Sequence, residues 1–381
     1  MDIPLCRNND ITTFIGHYME KPILSAMLSC SGTKLTDDEK ILFSQYNPLG
    51  ISLFGRNLKN PQQIRALCHE IKETIGRDDV LIAIDQEGGR VRRLTEPYFR
   101  PYSSQYRLGQ IAQEHGIEIA KEATKLHATL IAYDLKSLGI NWNYAPVIDV
   151  EHQNTAEVLR SRTFGSNKGI ISTLGNTMLN TYCEYGICPC IKHIPGLGSG
   201  STDPHLALPI INKSLSELEN DFTPIRDLNQ CPAAMTAHIL LPVIDKDNPL
   251  TQSTIGIRDI IRHQLGYNGF LISDAIDMHA LSGSLSDKTK NALNAGCDAI
   301  CYCGGNITEL TEVAQSCRFL RDNSIIRFEK IKKIISINKS IKNIEVSATR
   351  YQELIGKIEE YNDNYDATET LNLMQKEKGE K

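Results

Sequence analysis

The sequence predicts an α/β protein built as a single (β/α)8 TIM-type barrel, with peripheral helices and a flexible C-terminal tail. Three observations carry that expectation. Short apolar runs alternate with longer amphipathic stretches, the pattern of strand–helix units around a parallel sheet. About seven such units recur within 381 residues, and a barrel of this kind closes with about 250 residues or somewhat more. Several of the runs end on a titratable side chain, at the C-terminal strand ends where such barrels carry their chemistry.

The runs span residues 51–55, 80–85, 141–149, 187–193, 234–238, 270–274 and 299–303. Their ends supply Asp85, Asp149, Lys192, His193, His238 and Asp274. Between them, residues 63–72 place Ile64, Leu67, Cys68 and Ile71 on one face, the spacing of a helix packed on a sheet. Residues 118–138 form a longer helix stopped by Gly139. Residues 325–342 read as an outer helix and 348–361 as an amphipathic one. From Asn362 the chain turns polar and charged, which reads as a disordered tail. The catalytic domain is therefore expected at 1–345, and a C-terminal helix with its tail at 346–381. No fixed-period repeat is visible.

Bulk properties narrow the function. An apolar fraction of 41% supports a sizeable core, and a net charge of −5 gives no electrostatic footprint for nucleic acid. No apolar run approaches the roughly 20 residues of a membrane span. The first ten residues lack the basic and apolar regions of a secretory signal, so a cytoplasmic protein without a membrane partner is expected. The eleven cysteines lack the C-x2-C pairs of zinc sites. Cys188-Pro-Cys190 and Cys301-Tyr-Cys303 read as buried reduced thiols rather than metal ligands, and no metal or cofactor is expected.

The segment from Lys192 to His205, KHIPGLGSGSTDPH, concentrates a cation, two imidazoles and a carboxylate among glycines, a serine pair and prolines. Proline and glycine prevent regular structure throughout, so it reads as a strand end running into a loop. Asp203-x-His205 has the make-up of an orienting carboxylate and a proton-transferring imidazole; a solvated loop histidine is the plainer alternative. Asp274 at a strand end is either a nucleophile able to attack an anomeric carbon or a cap for a following helix. Asp277 reads as structural. Glu87 is a spare carboxylate without an assigned role.

These motifs and their order resemble the NagZ-type β-N-acetylglucosaminidases of glycoside hydrolase family 3. The likeness begins near Leu28, takes in Asn47-Pro-Leu-Gly-Ile, and extends to Ala295-Gly-Cys-Asp-Ala. It implies that Asp274, in the S-D-x-x-x-M segment, is the nucleophile. It also implies that His205, backed by Asp203, is the acid/base. The DQEGGRVRR stretch implies Asp85 and Arg93 as sugar ligands, and the R-T-F-G stretch implies Arg162, with Arg160 in a competing register. Lys192 and His193 are implied to bind sugar hydroxyls; a salt bridge from Lys192 to a neighbouring strand-end acid such as Asp149 is the bland alternative. His238 lines the pocket floor or sits hydrogen-bonded in the core. The chain departs from the family pattern at Leu197, where a histidine is usual, and at Pro204, which stands where the family has serine. Pro204 fixes its own φ and restricts Asp203 to extended conformations.

The implied activity is hydrolysis of terminal β-linked N-acetylglucosamine from muropeptide fragments in cell-wall (peptidoglycan) recycling, with retention and a covalent intermediate. The implied partner is N-acetylglucosamine linked to anhydro-N-acetylmuramic acid, with or without peptide, taken by a monomer. A β-glucosidase of the same broad family would bring a second domain. A phosphorylase using the same histidine and a catalytically impaired muropeptide-binding protein stay open at this point.

Overall fold

The computed structural model describes residues 21–359. The N-terminal stretch read for a leader, Cys6, and the tail from Asn362 lie outside the described residues. Eight parallel strands close into a barrel in sequence order. They are β1 (Leu24–Ser29), β2 (Pro48–Leu53), β3 (Leu81–Ile84), β4 (Trp142–Asn143), β5 (Cys188–Ile194), β6 (Ala233–Thr236), β7 (Phe270–Ala275) and β8 (Ala299–Cys301).

The first strand, β1, has no counterpart among the expected runs. Its sequence, LSAMLS, mixes serine and alanine with leucine and methionine and gives a weak apolar signal, yet all six residues are buried. β2 starts earlier than expected, at Pro48. The run at 141–149 forms only two ladder residues; beyond them the chain stays against β5 through Ile148 N–H to Lys192 O at 2.8 Å.

The helices follow local chemistry. Pro61–Ile75 is capped by the Asn60 side chain, has Pro61 in its first turn, and ends at left-handed Gly76. It buries Ile64, Leu67, Cys68, Ile71 and Ile75. Ile117–Leu138 ends at Gly139 with φ 84°. The expected outer helix is shorter, Asp322–Ile335. Its Phe328 and Ile331 pack into the cluster inside the barrel, with the Phe328 ring 6.5 Å from Phe270. This helix plugs the barrel rather than joining the outer ring. The last described helix is Ile344–Ile355, which buries Tyr351, Leu354 and Ile355 against the main core.

Strand alternation sorts side chains between two cores. Leu81 and Ala83 of β3, Cys188 and Cys190 of β5, and Phe270 and Ile272 of β7 point into the barrel. Their neighbours Ile82, Ile191 and Leu271 pack outward under the helices. The same parity brings Asp85, one residue past β3, and Lys192 and Asp274, near the ends of β5 and β7, to the inner side of the barrel mouth. This fixes where the site must lie.

Candidate active site

A cavity of about 920 Å3, counted to its open end and including open solvent, occupies the mouth. Asp85, Arg93, Arg162, Lys192, His193, His205 and Asp274 all line it; Asp203 stands directly behind His205.

The floor is a buried charge cluster. Lys192 Nζ lies 2.7 Å from both Asp85 Oδ1 and Glu87 Oε1. Arg162 grips Glu87 with two parallel bonds, Nε–Oε2 at 2.9 Å and Nη2–Oε1 at 2.8 Å. Arg93 reaches Asp85 Oδ2 at 3.5 Å, and its Nε is buried without a hydrogen-bond partner among the described residues. Burial alone would push both carboxyls up. Lys192, with Arg93 and Arg162, instead holds Asp85 far below the usual carboxylate range. Arg162 and Lys192 hold Glu87 at about 2. The same contacts overcome the desolvation of Lys192 and raise its pKa. The cluster is fully ionised at neutral pH, which is how buried charges persist.

The register question at 160–162 has a geometric answer. Arg160 turns away to Glu151 and Glu157, at 3.1 and 3.3 Å, while Arg162 faces the cavity. Lys192 does form a salt bridge to a strand-end acid, but that acid is Asp85 rather than Asp149. Asp149 instead accepts from His193 Nδ1 at 2.7 Å and from the Leu197 amide at 2.6 Å, which leaves Nε2 of His193 for the cavity. His238 is fully buried; its ring nitrogens meet Thr251 Oγ1 at 2.8 Å and Ala275 O at 3.0 Å. Burial depresses its pKa, and both ring nitrogens are bonded within the fold, which makes it a core histidine.

Asp274, the next-to-last residue of β7, lines the cavity. No helix follows it directly; a turn does, so the helix-capping alternative has no helix to cap. Its Oδ1 accepts the Ala275 amide at 2.8 Å. Burial would raise its pKa, but the imidazoles of His193 and His238, the Ala275 amide and His205 outweigh that and lower it. Asp277 also lines the cavity and accepts the Cys303 amide at 3.2 Å.

His205 Nδ1 and the His205 amide both meet Asp203 Oδ1, at 2.7 and 2.9 Å. A carboxylate on Nδ1 makes that nitrogen the protonated one and turns Nε2 toward the cavity. The loop is pinned at its root: Gly198 O accepts from Thr155 Oγ1 at 2.6 Å and Gly200 O from the Ala156 amide at 2.9 Å. Its far end is held where Pro209 O accepts the Leu240 amide at 2.9 Å. At the tip, Pro204 O accepts the Ala280 amide at 3.1 Å, tying the loop to the segment after β7. Leu197 is buried in the core and touches the cavity.

Glu87, Cys301 and Cys303 stand in the site although the sequence assigns them no role there. Glu87 joins Arg162 to Lys192. Cys301 and Cys303 line the cavity with their sulfurs 3.8 Å apart; burial and mutual hydrogen bonding push the Cys303 thiol up. Strand parity after Ala299 was the available signal for the thiols; for Glu87 there was none beyond its place in DQEGG. Among the described residues, no group of three or more His, Cys, Asp or Glu side chains is arranged to hold a metal ion, and no helix is long and apolar enough to cross a membrane.

The family model for the glycosyl hydrolase family 3 N terminal domain matches residues 22–350. The chain belongs to glycosyl hydrolase family 3. A beta-hexosaminidase of Thiobacillus denitrificans is 32% identical over 284 residues, covering 73% of this chain and 77% of the relative. One from Alkalilimnicola ehrlichii is 34% identical, covering 73% and 80%. Crystalline NagZ from Neisseria gonorrhoeae, in complex with N-trifluoroacetyl-D-glucosamine, superposes with TM-score 0.79 at 27% identity. That match covers 88% of this chain and 98% of the other. The chain is thus a glycoside hydrolase of the NagZ-type β-N-acetylhexosaminidase kind, on a TIM-type barrel.

Proposed function

We propose that the protein is a retaining exo-β-N-acetylglucosaminidase that removes terminal N-acetylglucosamine through a covalent intermediate on Asp274. The observation that carries this reading is the Asp203–His205 pair, 2.7 Å apart, whose imidazole shares one cavity with a strand-end carboxylate. In the first step a carboxylate oxygen of Asp274 bonds to the anomeric carbon. The glycosidic C–O bond breaks, and the leaving oxygen takes a proton from His205 Nε2. In the second step His205 Nε2 accepts a proton from water, whose oxygen bonds to the anomeric carbon as the ester bond to Asp274 breaks. Asp203 fixes the tautomer and stabilises the imidazolium, the division of labour of a Ser-His-Asp triad.

Asp85, Arg93, Arg162, Lys192 and His193 hold the non-reducing sugar. Carboxylates accept from hydroxyls and the cations donate to them, and the Arg93 Nε–H has no partner among the described residues. The natural substrate in this reading is N-acetylglucosamine linked to anhydro-N-acetylmuramic acid, with or without peptide, cleaved by a cytoplasmic monomer in peptidoglycan recycling. In this reading the catalytic domain is 1–345, followed by a C-terminal helix and tail over 346–381, of which the helix packs against the main core.

The test is cleavage of a chromogenic β-N-acetylglucosaminide beside the matching β-glucoside, by wild type, Asp274→Asn and His205→Ala. Selective cleavage of the N-acetyl substrate is expected, abolished in Asp274→Asn and reduced about 10²- to 10⁴-fold in His205→Ala. The first product seen by proton NMR is the β-anomer. An α-anomer overturns retention; a sugar 1-phosphate formed in phosphate buffer makes the enzyme a phosphorylase; no turnover by folded wild type leaves a binding protein.

A further inference from the structure

The Glu87 turn is held from behind by a chain of buried groups. His127, fully buried on the helix Ile117–Leu138, places Nε2 3.0 Å from the Glu87 carbonyl and Nδ1 2.9 Å from the Tyr351 hydroxyl. Tyr351 is buried on the helix Ile344–Ile355, and its oxygen also accepts the Ser103 amide at 3.0 Å. A carbonyl needs a donor, so the bonding pattern puts the ring proton of His127 on Nε2. Nδ1 then takes the Tyr351 hydroxyl proton, and the phenol oxygen takes the Ser103 amide.

The fit at this point is tight. Gly88 has φ 106°, and a β-carbon there would stand 2.2 Å from Ser103 O and 2.8 Å from His127 Cε1. The turn therefore sits directly on Ser103 and His127, with Gly89 N–H bonded to Tyr102 O at 2.8 Å. On its other side the Glu87 carboxylate grips Arg162 and Lys192. A shift of the Glu87 backbone moves both cations.

We propose that Tyr351 and His127 are positioning residues of the sugar site: the C-terminal helix holds the Glu87 turn, and through it Arg162 and Lys192, in the geometry that binds substrate. This rests on the reading that Arg162 and Lys192 hold the sugar. It gives the helix Ile344–Ile355 a part in substrate affinity besides its packing.

The test uses the full chain as wild type, Tyr351→Phe, His127→Gln, His127→Leu and Arg162→Lys. Two quantities are read: KM and kcat for a chromogenic β-N-acetylglucosaminide, and the inhibition constant of free N-acetylglucosamine. Tyr351→Phe keeps the ring and removes the hydroxyl. Loss of two buried hydrogen bonds, to His127 Nδ1 and from the Ser103 amide, is expected to raise KM and the inhibition constant at least about tenfold, with kcat within about twofold. His127→Gln keeps an N–H donor where Nε2 stood but removes the acceptor of the Tyr351 hydroxyl, so its effect is expected to fall between wild type and Tyr351→Phe. His127→Leu is expected to match or exceed Tyr351→Phe; should it not fold, Tyr351→Phe and His127→Gln still decide.

The proposal is overturned if Tyr351→Phe lowers the thermal midpoint while both constants stay within about twofold, or if kcat falls with KM unchanged. Arg162→Lys separates the two levels of the argument. If it weakens inhibition by N-acetylglucosamine and Tyr351→Phe does not, only the positioning role fails. If it has no effect, the sugar-site reading fails and this proposal fails with it.

Discussion

Glu87→Gln keeps the shape of the side chain and removes its charge, leaving the Arg162 guanidinium and the Lys192 ammonium with one carboxylate, Asp85, where there were two. The size of the effect follows from the site. Glu87 is 1% exposed and its carboxyl is held at about 2, against an ordinary 4.5. At about 1.4 kcal/mol per pH unit, that preference for the ionised folded form is worth about 3 kcal/mol. The cost of stripping one partner from a buried ion pair, about 3–5 kcal/mol, is of the same order.

The sign with pH is fixed by linkage. A carboxyl with a depressed folded pKa stabilises the fold above its unfolded pKa, and that contribution fades as pH falls from 4.5 toward about 2. Urea unfolding followed by circular dichroism, for wild type and Glu87→Gln, is the assay. A stability gap of about 3 kcal/mol is expected at pH 7, almost unchanged at about pH 5.5 and narrowing below about pH 4.5. A gap under about 1 kcal/mol at neutral pH, or one that stays flat down to about pH 3.5, would refute the reasoning.

Leu197→Ala removes a buried side chain from the core beside the cavity and is expected to cost about 2–4 kcal/mol, read as a lower thermal midpoint. Because Asp274 is held below its ordinary pKa, its ionised form persists into acid. The pH profile of kcat/KM is expected to show no carboxylate limb above about pH 4, and an acid limb near pH 5 lost in no other variant would contradict this. Cys188 and Cys190 are buried and their thiols pushed well above the ordinary value. Iodoacetamide at about pH 7.5 is expected to leave both unlabelled in the folded protein and to label both in urea, as read by mass spectrometry.

The barrel was legible because its strands repeat a pattern that local chemistry enforces. Runs such as 80–85 and 270–274 end on acids, and period-two alternation alone carries Asp85 and Asp274 inward. β1 was not legible: LSAMLS is buried on both faces by its neighbours and by Phe319 and Asn47 backbone contacts, none of which sequence periodicity reports. The plugging role of Asp322–Ile335 was hidden for the same reason, since Phe328 has the same helical spacing whether it faces a sheet or a barrel interior. Within the site, the Asp203–His205 contact is two residues long and readable. The Lys192–Glu87 and Tyr351–His127 contacts join residues more than a hundred positions apart, and composition holds no trace of them.

Pinning the His205 loop has a kinetic meaning. Between the anchored carbonyls of Gly200 and Pro209 only residues 201–208 intervene, so the imidazole hangs on a tether a few residues long to either side. Each residue spans at most about 3.3–3.6 Å, and closing so short a loop costs little entropy. Under the proposed mechanism the proton donor is therefore present at the glycosidic oxygen at a very high effective concentration. Every excursion of the loop also returns the same nitrogen to the same place, once to give the proton and once to take it back.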